Sequence, residues 1–223
     1  MVNDAFDNDL ARLKEDILKM GRLLEEQIIK SVKALTEKNI KLAEEVITKD
    51  DIIDQMELDI ERKCLSLVAL QQPMASDLRF LGTALRIIID IERMGDHAED
   101  IAEAAIDIYD QVFIKPLIDI PRMANVAEKM VEIALQAFID NDVELAMTLV
   151  EMEAEMDALY DQVFRELLSY MMQDQKNIPQ ATDLLFVSGH LERIGDHATN
   201  LAEMVLYVVE GKRIDINVLA RSK

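Results

Sequence analysis

Two segments of the sequence repeat the acidic pattern Glu-Arg-x-Gly-Asp-His, at residues 92–97 and at residues 192–197. In the first copy, Glu92, Asp96 and Asp100 are spaced four residues apart, so on a helix they share one face. Carboxylate oxygens grouped in this way are suitable ligands for hard and borderline cations. The pattern therefore predicts a metal-binding helix face, with a row of solvated carboxylates as the alternative interpretation.

The same spacing recurs around the second copy and on the helices that precede both copies. Glu192 and Asp196 repeat the pair, and Asn200 stands where the first copy has Asp100. The preceding helices carry further acidic residues at intervals of four: Asp50 and Asp54 in the first half, and Glu153, Asp157 and Asp161 in the second. Such faces converge where two antiparallel helices pack side by side, so we predict that these positions contribute to metal sites.

Gly95 and Gly195 each precede the aspartate of the repeated pattern, in the middle of a predicted helix. A glycine there costs up to about 1 kcal/mol relative to alanine, so its presence indicates tight helix packing or close approach of a backbone or a bound ion. His97 and His197 follow the aspartate, and one step along a helix turns a side chain well away from its neighbour. We expect these histidines to orient a ligand from the edge of the site or to be packed structural residues; His190 is assigned no role.

Apolar residues recur at intervals of three and four through most of the chain, which indicates helices almost throughout. Asn39 and Asp142 are suitable N-caps, Pro179 suits a first helical turn, and Gly211 marks a helix end. The predicted helices span about residues 7–37, 40–70, 76–112, 122–140, 142–173 and 180–210.

Residues 91–103 align with residues 191–203, and eight of the 13 positions are identical. Helix packing alone would keep apolar residues at matching positions, but it would not keep the same polar residues. The identical polar residues therefore predict an internal repeat. The predicted fold is all-α, with two tandem, pseudo-symmetric three-helix bundles built from six long antiparallel helices. The predicted boundaries are residues 1–114 for the first repeat, 115–211 for the second and 212–223 for a C-terminal tail.

The net charge of −20 over 223 residues argues against binding to nucleic acid or to anionic lipid, because both carry negative charge. No apolar run is long enough to span a bilayer, and the first residues lack the pattern of a signal peptide, so we predict a cytoplasmic protein without direct membrane insertion. Cys64 is the single cysteine, and we expect it to be a small buried residue rather than a reactive thiol.

Enzymatic chemistry has less support than binding. Di-iron oxidases of helical bundles use Glu-x-x-His, but the residues three positions before the histidines are Met94, Val187 and Ile194. The sequence contains no Gly-rich phosphate loop and no recognisable nucleophile setting. We therefore expect a non-enzymatic binding and regulatory protein. A carboxylate-bridged hydrolase or oxidase is the alternative, and an inert helical scaffold is the third possibility.

Three segments of the sequence resemble the PhoU family of phosphate-uptake regulators. They are Gln-Gln-Pro-Met-Ala-Ser-Asp-Leu-Arg at residues 71–79 and the two copies of Glu-Arg-x-Gly-Asp-His-Ala that begin at Glu92 and Glu192. The resemblance implies two three-helix bundles whose Glu/Asp-x-x-x-Asp motifs bind multinuclear iron clusters or other metal ions, among them Zn, Mn, Mg, Ca or Ni. Glu92, Asp96, Glu192 and Asp196 match that motif, whereas Asn200 departs from it.

The resemblance also implies a function and partners. Proteins of this kind link the ATPase subunit of a phosphate ABC transporter to a sensor histidine kinase, and they act as negative regulators of phosphate-starvation signalling when phosphate is plentiful. Family members are commonly homodimers. On this basis we expect a metal-binding adaptor of phosphate homeostasis.

Overall fold

Seven α-helices and one 3-10 turn make up the part of the chain that the computed structural model describes, residues 2–212 and 215–216. The helices are α1 (Val2–Glu37), α2 (Ile40–Gln71), α3 (Ser76–Asp107), α4 (Asp119–Asp140), α5 (Val143–Met147), α6 (Leu149–Gln173) and α7 (Ile178–Glu210), and the 3-10 turn is Gln175–Asn177. No strand occurs in these residues, so the predicted all-α class is confirmed. Most of the predicted tail, 212–223, lies outside the described residues.

The predicted helix caps are confirmed. The side chain of Asn39 accepts a hydrogen bond from the Leu42 backbone N–H at 3.2 Å, and Asp142 accepts one from the Leu145 N–H at 2.9 Å. Each bond satisfies one of the donors that a helix N-terminus leaves without an intrahelical partner. Gly211 ends α7 with a positive φ of 74°, a conformation that glycine adopts without steric cost.

Two predicted helix boundaries were wrong. The third helix ends at Asp107 rather than at residue 112, because residues 111–114 are bound by another helix. Gln180 of α7 accepts the Ile114 N–H at 2.6 Å and donates to the backbone carbonyl of Val112 at 3.1 Å. The fourth helix begins three residues earlier than predicted, at Asp119, which leaves Pro121 in its first turn, where a missing N–H costs little.

The predicted fifth helix, 142–173, is interrupted at Thr148 and forms α5 and α6. The Thr148 hydroxyl donates to the Leu145 carbonyl at 2.7 Å, and its backbone N–H also bonds within the last turn of α5. Threonine hydroxyls compete in this way for backbone carbonyls and bend helices. Counting α5 and α6 as one bent helix gives the six long helices of the predicted fold.

Helices α1–α3 form one bundle and α4–α7 form the other, as predicted. Helix α1 packs against α4 and α3 packs against α7, so these four helices lie at the contact between the bundles. Helix α2 packs against α1 and α3, and α6 packs against α4 and α7. A methyl group on Gly21 would collide with Leu135 Cδ1, so glycine permits the close approach of α1 and α4.

The predicted apolar stripe of α1 forms the core, and residues such as Leu13, Ile17 and Leu24 are almost wholly buried. Cys64 is also buried as predicted, and burial raises the pKa of its thiol to about 12, so the reactive thiolate does not form near neutral pH. Within the described residues, no helix combines the length and the apolar character that crossing a bilayer requires.

The two repeats can be aligned from the structure residue by residue. Lys38 and Asn141, with φ of 53° and 55°, end the first helix of each repeat in the same left-handed turn. That register pairs Asp50 with Glu153, and the third helices pair Gly95 with Gly195. In the same registers Gln27 corresponds to Met130, and Asp90 corresponds to His190. Differences between the repeats can therefore be assigned to particular positions.

Candidate functional site

Three carboxylates converge where α2 and α3 pack together. Asp50 of α2 and Asp96 and Glu99 of α3 each offer an oxygen within 4.8 Å of the other two. The sequence predicted the convergence of Asp50 with Asp96 but missed Glu99. Glu99 lies three residues after Asp96, which also places both on one helix face, so a search at that spacing would have found it. We call Asp50, Asp96 and Glu99, with their neighbours Asp54 and Glu92, the first acidic cluster.

Asp50 is the deepest member of the first acidic cluster, with 6% of its surface exposed. Its Oδ1 atom is buried and has no hydrogen-bond partner among the described residues. Burial, and after it the negative charges of Glu99 and Asp54, raises the pKa of this carboxyl from 3.8 to about 7. A buried carboxylate oxygen without a partner is costly unless a proton or a cation compensates its charge.

Gly95 lies directly against this oxygen. A Cβ atom built on Gly95 would stand 2.8 Å from Asp50 Oδ1 and 3.4 Å from Ile53 Cδ1. Any residue with a side chain would displace the carboxylate, so the glycine leaves the space in which Asp50 reaches its position. The unpartnered oxygen and the glycine recess both fit a bound cation.

The other members of the first acidic cluster repel one another. Burial first, then the charges of Asp96 and Asp54, raises the pKa of Glu92. Burial first, then Asp54 and Asp100, raises the pKa of Asp96, and burial followed by Glu103 and Asp96 raises that of Glu99. A divalent cation would compensate these negative charges and turn the repulsion into attraction.

The second repeat brings together the equivalent carboxylates, Glu153 and Asp157 of α6 with Glu192 and Asp196 of α7. Burial first, then Asp196 and Asp157, raises the pKa of Glu192. Burial first, then Asp157, raises the pKa of Asp196. These four residues form the second acidic cluster. Its ligand atoms are more widely spaced than those of the first acidic cluster: no three of them all lie within 4.8 Å of one another.

The surroundings of the second acidic cluster are less polar. A Cβ atom on Gly195 would stand 3.4 Å from Met156 Cγ and 3.5 Å from Met130 Sδ, so methionines occupy the place that Asp50 takes near Gly95. Thr199 replaces Glu99, and Asn200 replaces Asp100. The first acidic cluster therefore has the higher charge and the tighter spacing.

Three other predicted positions are not members of the two acidic clusters. Asp161 is exposed on α6, where Arg165 donates to its backbone carbonyl at 3.1 Å. Asn200 lines a cavity of about 490 Å³ together with Arg93 and Asp90. Asp100 has 47% of its side chain exposed, and its Oδ2 atom lies 3.3 Å from His190 Nδ1.

The three histidines meet where α3 packs against α7, the α3–α7 interface. His197 Nδ1 lies 2.8 Å from Asp90 Oδ1, and His97 Nδ1 lies 3.2 Å from His190 Nδ1. Because His190 is the repeat equivalent of Asp90, these are two copies of one contact. Burial, then the neighbouring histidines, lowers the pKa of His97 to about 4. His190, which received no role from the sequence, thus lies at the contact between the two repeats.

Comparison with known protein families gives matches in both repeats. The family model described as "PhoU domain" matches residues 17–105 and residues 120–205. These two ranges contain both acidic clusters and all three histidines.

Relatives of known name match over nearly the full length. A protein of Aquifex aeolicus named "Phosphate-specific transport system accessory protein PhoU homolog" is 44% identical over 204 residues, which cover 92% of each chain. A protein of Clostridium acetobutylicum with the same name is 38% identical over 218 residues, which cover 97% of this chain and 100% of the relative.

Two solved structures have the same fold. The crystal structure of PhoU from Pseudomonas aeruginosa matches with a TM-score of 0.88 and 36% identity, and the match covers 93% of this chain and 100% of the other. The crystal structure of the phosphate transport system regulatory protein PhoU from Streptococcus pneumoniae matches with a TM-score of 0.87 and 32% identity, over 94% and 99% of the two chains.

Proposed function

The chain belongs to the PhoU family, and from that premise we propose that it is a regulatory accessory protein of a phosphate transport system that binds metal ions. The observation that carries the regulatory role is the match to relatives named as accessory or regulatory proteins, which extends over nearly the whole chain. The observation that supports metal binding is the buried Asp50 Oδ1, which lies without a partner beside Gly95.

The proposed metal ligands of the first repeat are the members of the first acidic cluster, with Asp50 and Asp96 on opposite helices. In the second repeat the proposed ligands are Glu153, Asp157, Glu192 and Asp196. We propose a multinuclear site for iron in each cluster, as the resemblance to the family implies, and carboxylate oxygens also accept Mn, Mg and Ca. A bound cation would join the second and third long helices of each repeat.

The proposed partners are the ATPase subunit of the phosphate ABC transporter and a sensor histidine kinase. In this role the protein is a homodimer on the cytoplasmic side of the membrane, and it restrains phosphate-starvation signalling when phosphate is plentiful. The net charge of −20 disfavours direct binding to anionic lipids, so the proposed contact with the membrane is made through these proteins. We propose that the repeats divide between residues 114 and 115, consistent with the separate family matches in each half.

Affinity purification of the tagged protein from cells grown with ample and with limiting phosphate tests the partners. We expect the transporter ATPase subunit or the sensor kinase to be recovered, and recovery should differ between the two growth conditions. Absence of both proteins under both conditions would contradict the proposed role.

Elemental analysis of the purified protein tests the metal ligands separately from the partners. The double variant Asp50→Asn with Asp96→Asn should lose the metal of the first acidic cluster and so contain less metal than the unmodified protein. Asp59→Asn should retain the full content, because Asp59 is exposed on α2 and pairs with Arg62. Equal metal content in all three proteins would contradict the assignment of the first acidic cluster. Catalytic turnover by protein loaded with iron or manganese would instead support the carboxylate-bridged metalloenzyme.

A further inference from the structure

Three ligand side chains from the two repeats meet at the α3–α7 interface. His97 and Asp100 come from α3, and His190 comes from α7. The ligand atoms of these three residues lie within 4.8 Å of one another. The two imidazoles are more than four-fifths buried, whereas the carboxylate is half exposed and so open to solvent.

We propose that His97, His190 and Asp100 form a site for a divalent transition cation of the zinc class, which links the two bundles. This site is separate from the carboxylate clusters and does not depend on the proposed regulatory role. Its ligands are two nitrogens and one oxygen, a set that favours zinc, cobalt, nickel or copper over magnesium and calcium.

The distances between the ligand atoms fit a tetrahedral ion. Zinc binds imidazole nitrogen and carboxylate oxygen at about 2.0–2.2 Å, so neighbouring ligands of a tetrahedral site lie about 3.3–3.5 Å apart. Here the two Nδ1 atoms are 3.2 Å apart, and Asp100 Oδ2 lies 3.3 Å from His190 Nδ1 and 3.7 Å from His97 Nδ1. These separations match those of three ligands of a tetrahedral ion, and the exposed side at Asp100 leaves the fourth position open to water.

The equivalent contact in the repeat, between His197 and Asp90, is an ordinary hydrogen bond. There, His197 Nδ1 pairs with Asp90 Oδ1 at 2.8 Å, which is a normal imidazole–carboxylate bond. In the proposed site His190 replaces that carboxylate, so a second nitrogen faces His97. Asp100, whose equivalent is Asn200, then adds the anionic oxygen. The exchange turns a simple pair into a set of metal ligands.

Nitrogen NMR of the unmodified protein labelled with ¹⁵N-histidine tests the proposal directly, with Zn²⁺ as the added probe. The chain contains three histidines. We expect the Nδ1 signals of two of them to shift as Zn²⁺ is added beyond the amount that the carboxylate clusters can bind, while the third, which is held by Asp90, keeps its position. Zinc in the carboxylate clusters does not coordinate these nitrogens, because the clusters contain no imidazole. Unchanged signals of all three histidines would overturn the proposal.

Co²⁺ absorption in variants identifies the ligands. Tetrahedral Co²⁺ has visible bands that weaken strongly in six-coordinate oxygen sites, so the bands should be lost in His190→Gln and in Asp100→Asn. His197→Gln is the matched control, because it alters the equivalent contact in the other half, and Asp50→Asn controls for the carboxylates; both should keep the bands. We expect affinity for Co²⁺ to fall at least about tenfold in the first two variants. Bands that survive His190→Gln, or that are lost equally in His197→Gln, would refute the assignment.

Discussion

Asp50 Oδ1 and the α-carbon of Gly95 face each other so closely that a methyl group on Gly95 would stand 2.8 Å from the oxygen. The two residues belong to different helices, α2 and α3, so the separation of these helices sets the position of the carboxylate. Asp50 is buried at this point and its Oδ1 has no hydrogen-bond partner among the described residues. Gly95 thus affects the proposed metal site because it leaves space for the Asp50 carboxylate, and not because it makes a polar contact.

Replacement of Gly95 by alanine should lower the affinity for metal more than it changes stability. Alanine favours helix by up to about 1 kcal/mol over glycine, but here its methyl group must push Asp50 aside. We expect metal affinity to fall by about 10- to 100-fold, as for residues that orient metal ligands. Calorimetric titration of the metal-depleted protein measures the affinity.

Gly82→Ala and Gly195→Ala are the controls for that substitution. A methyl group on Gly82 would meet nothing within 4 Å, so this variant should gain about 0.5–1 kcal/mol of stability and bind metal normally. Gly195→Ala would contact methionines at 3.4–3.5 Å and should leave the first acidic cluster unaffected. Equal metal affinity in Gly95→Ala and Gly82→Ala would show that the close contact has no effect on the site.

The metal-free protein should become less stable as the pH rises from about 4 to about 7. The pKa of Asp50 is raised from 3.8 to about 7 in the folded state, so between these values the folded protein holds a proton that the unfolded chain has lost. The resulting stabilisation is complete at low pH and disappears as the pH rises through the folded-state pKa. A shift of this size corresponds to at most about 4 kcal/mol.

Urea unfolding of the metal-free protein at about pH 5 and about pH 8 measures this effect. Carboxylates whose pKa is lowered by neighbouring lysines, such as Glu45, act in the opposite direction, so the comparison is between the protein and Asp50→Asn. We expect the loss of stability between the two pH values to be smaller in the variant by about 2 kcal/mol. The same pH dependence in both proteins would show that Asp50 does not carry the extra proton.

The two acidic clusters should bind metal with unequal affinity, the first more tightly. The first has three ligand oxygens within 4.8 Å of one another, whereas the second has Thr199 where the first has the ligand Glu99. Titration with Mn²⁺ should therefore show two classes of site. Asp96→Asn should abolish the tighter class, and its matched counterpart Asp196→Asn should abolish the weaker one. The reverse order would contradict the assignment.

The pair His197 and Asp90 should stabilise the contact between the bundles. Both side chains are more than four-fifths buried and lie 2.8 Å apart, so their hydrogen bond is shielded from water. A double-mutant cycle with His197→Gln and Asp90→Asn should give a coupling energy of about 1–2 kcal/mol. The exposed pair Lys33 and Glu37, 3.9 Å apart, is the control and should give about 0.5 kcal/mol or less. Similar values for both pairs would contradict the prediction.

Features that depend on neighbouring residues in the sequence were predictable. The caps at Asn39 and Asp142, the end at Gly211 and the all-α repeat follow from local chemistry and from helical periodicity. The bend at Thr148 was not predicted, because a threonine hydroxyl can bond to the preceding turn or to water, and the apolar pattern continues across it. Glu99 was missed, although its spacing of three residues from Asp96 would have allowed us to predict that both lie on one helix face.

Features that depend on how helices pair were not predictable from a single sequence. Nothing in the sequence indicates that α3 packs against α7, so the role of His190 opposite His97 could not be inferred. Gln180 is a similar case, because its bonds to residues 111–114 join α7 of the second repeat to the end of the first repeat. Gln27 likewise occupies a core position, with both amide atoms buried and without partners among the described residues.

The contact that occurs twice at the α3–α7 interface has a consequence for how such a protein can change during evolution. Two identical single repeats that met through this helix would carry the same residue opposite each histidine, because one gene would encode both. In the fused chain, position 90 is aspartate and position 190 is histidine, and each can mutate without altering the other. Joining the repeats in one polypeptide therefore lets one copy of the contact stabilise the assembly while the other acquires a different chemistry.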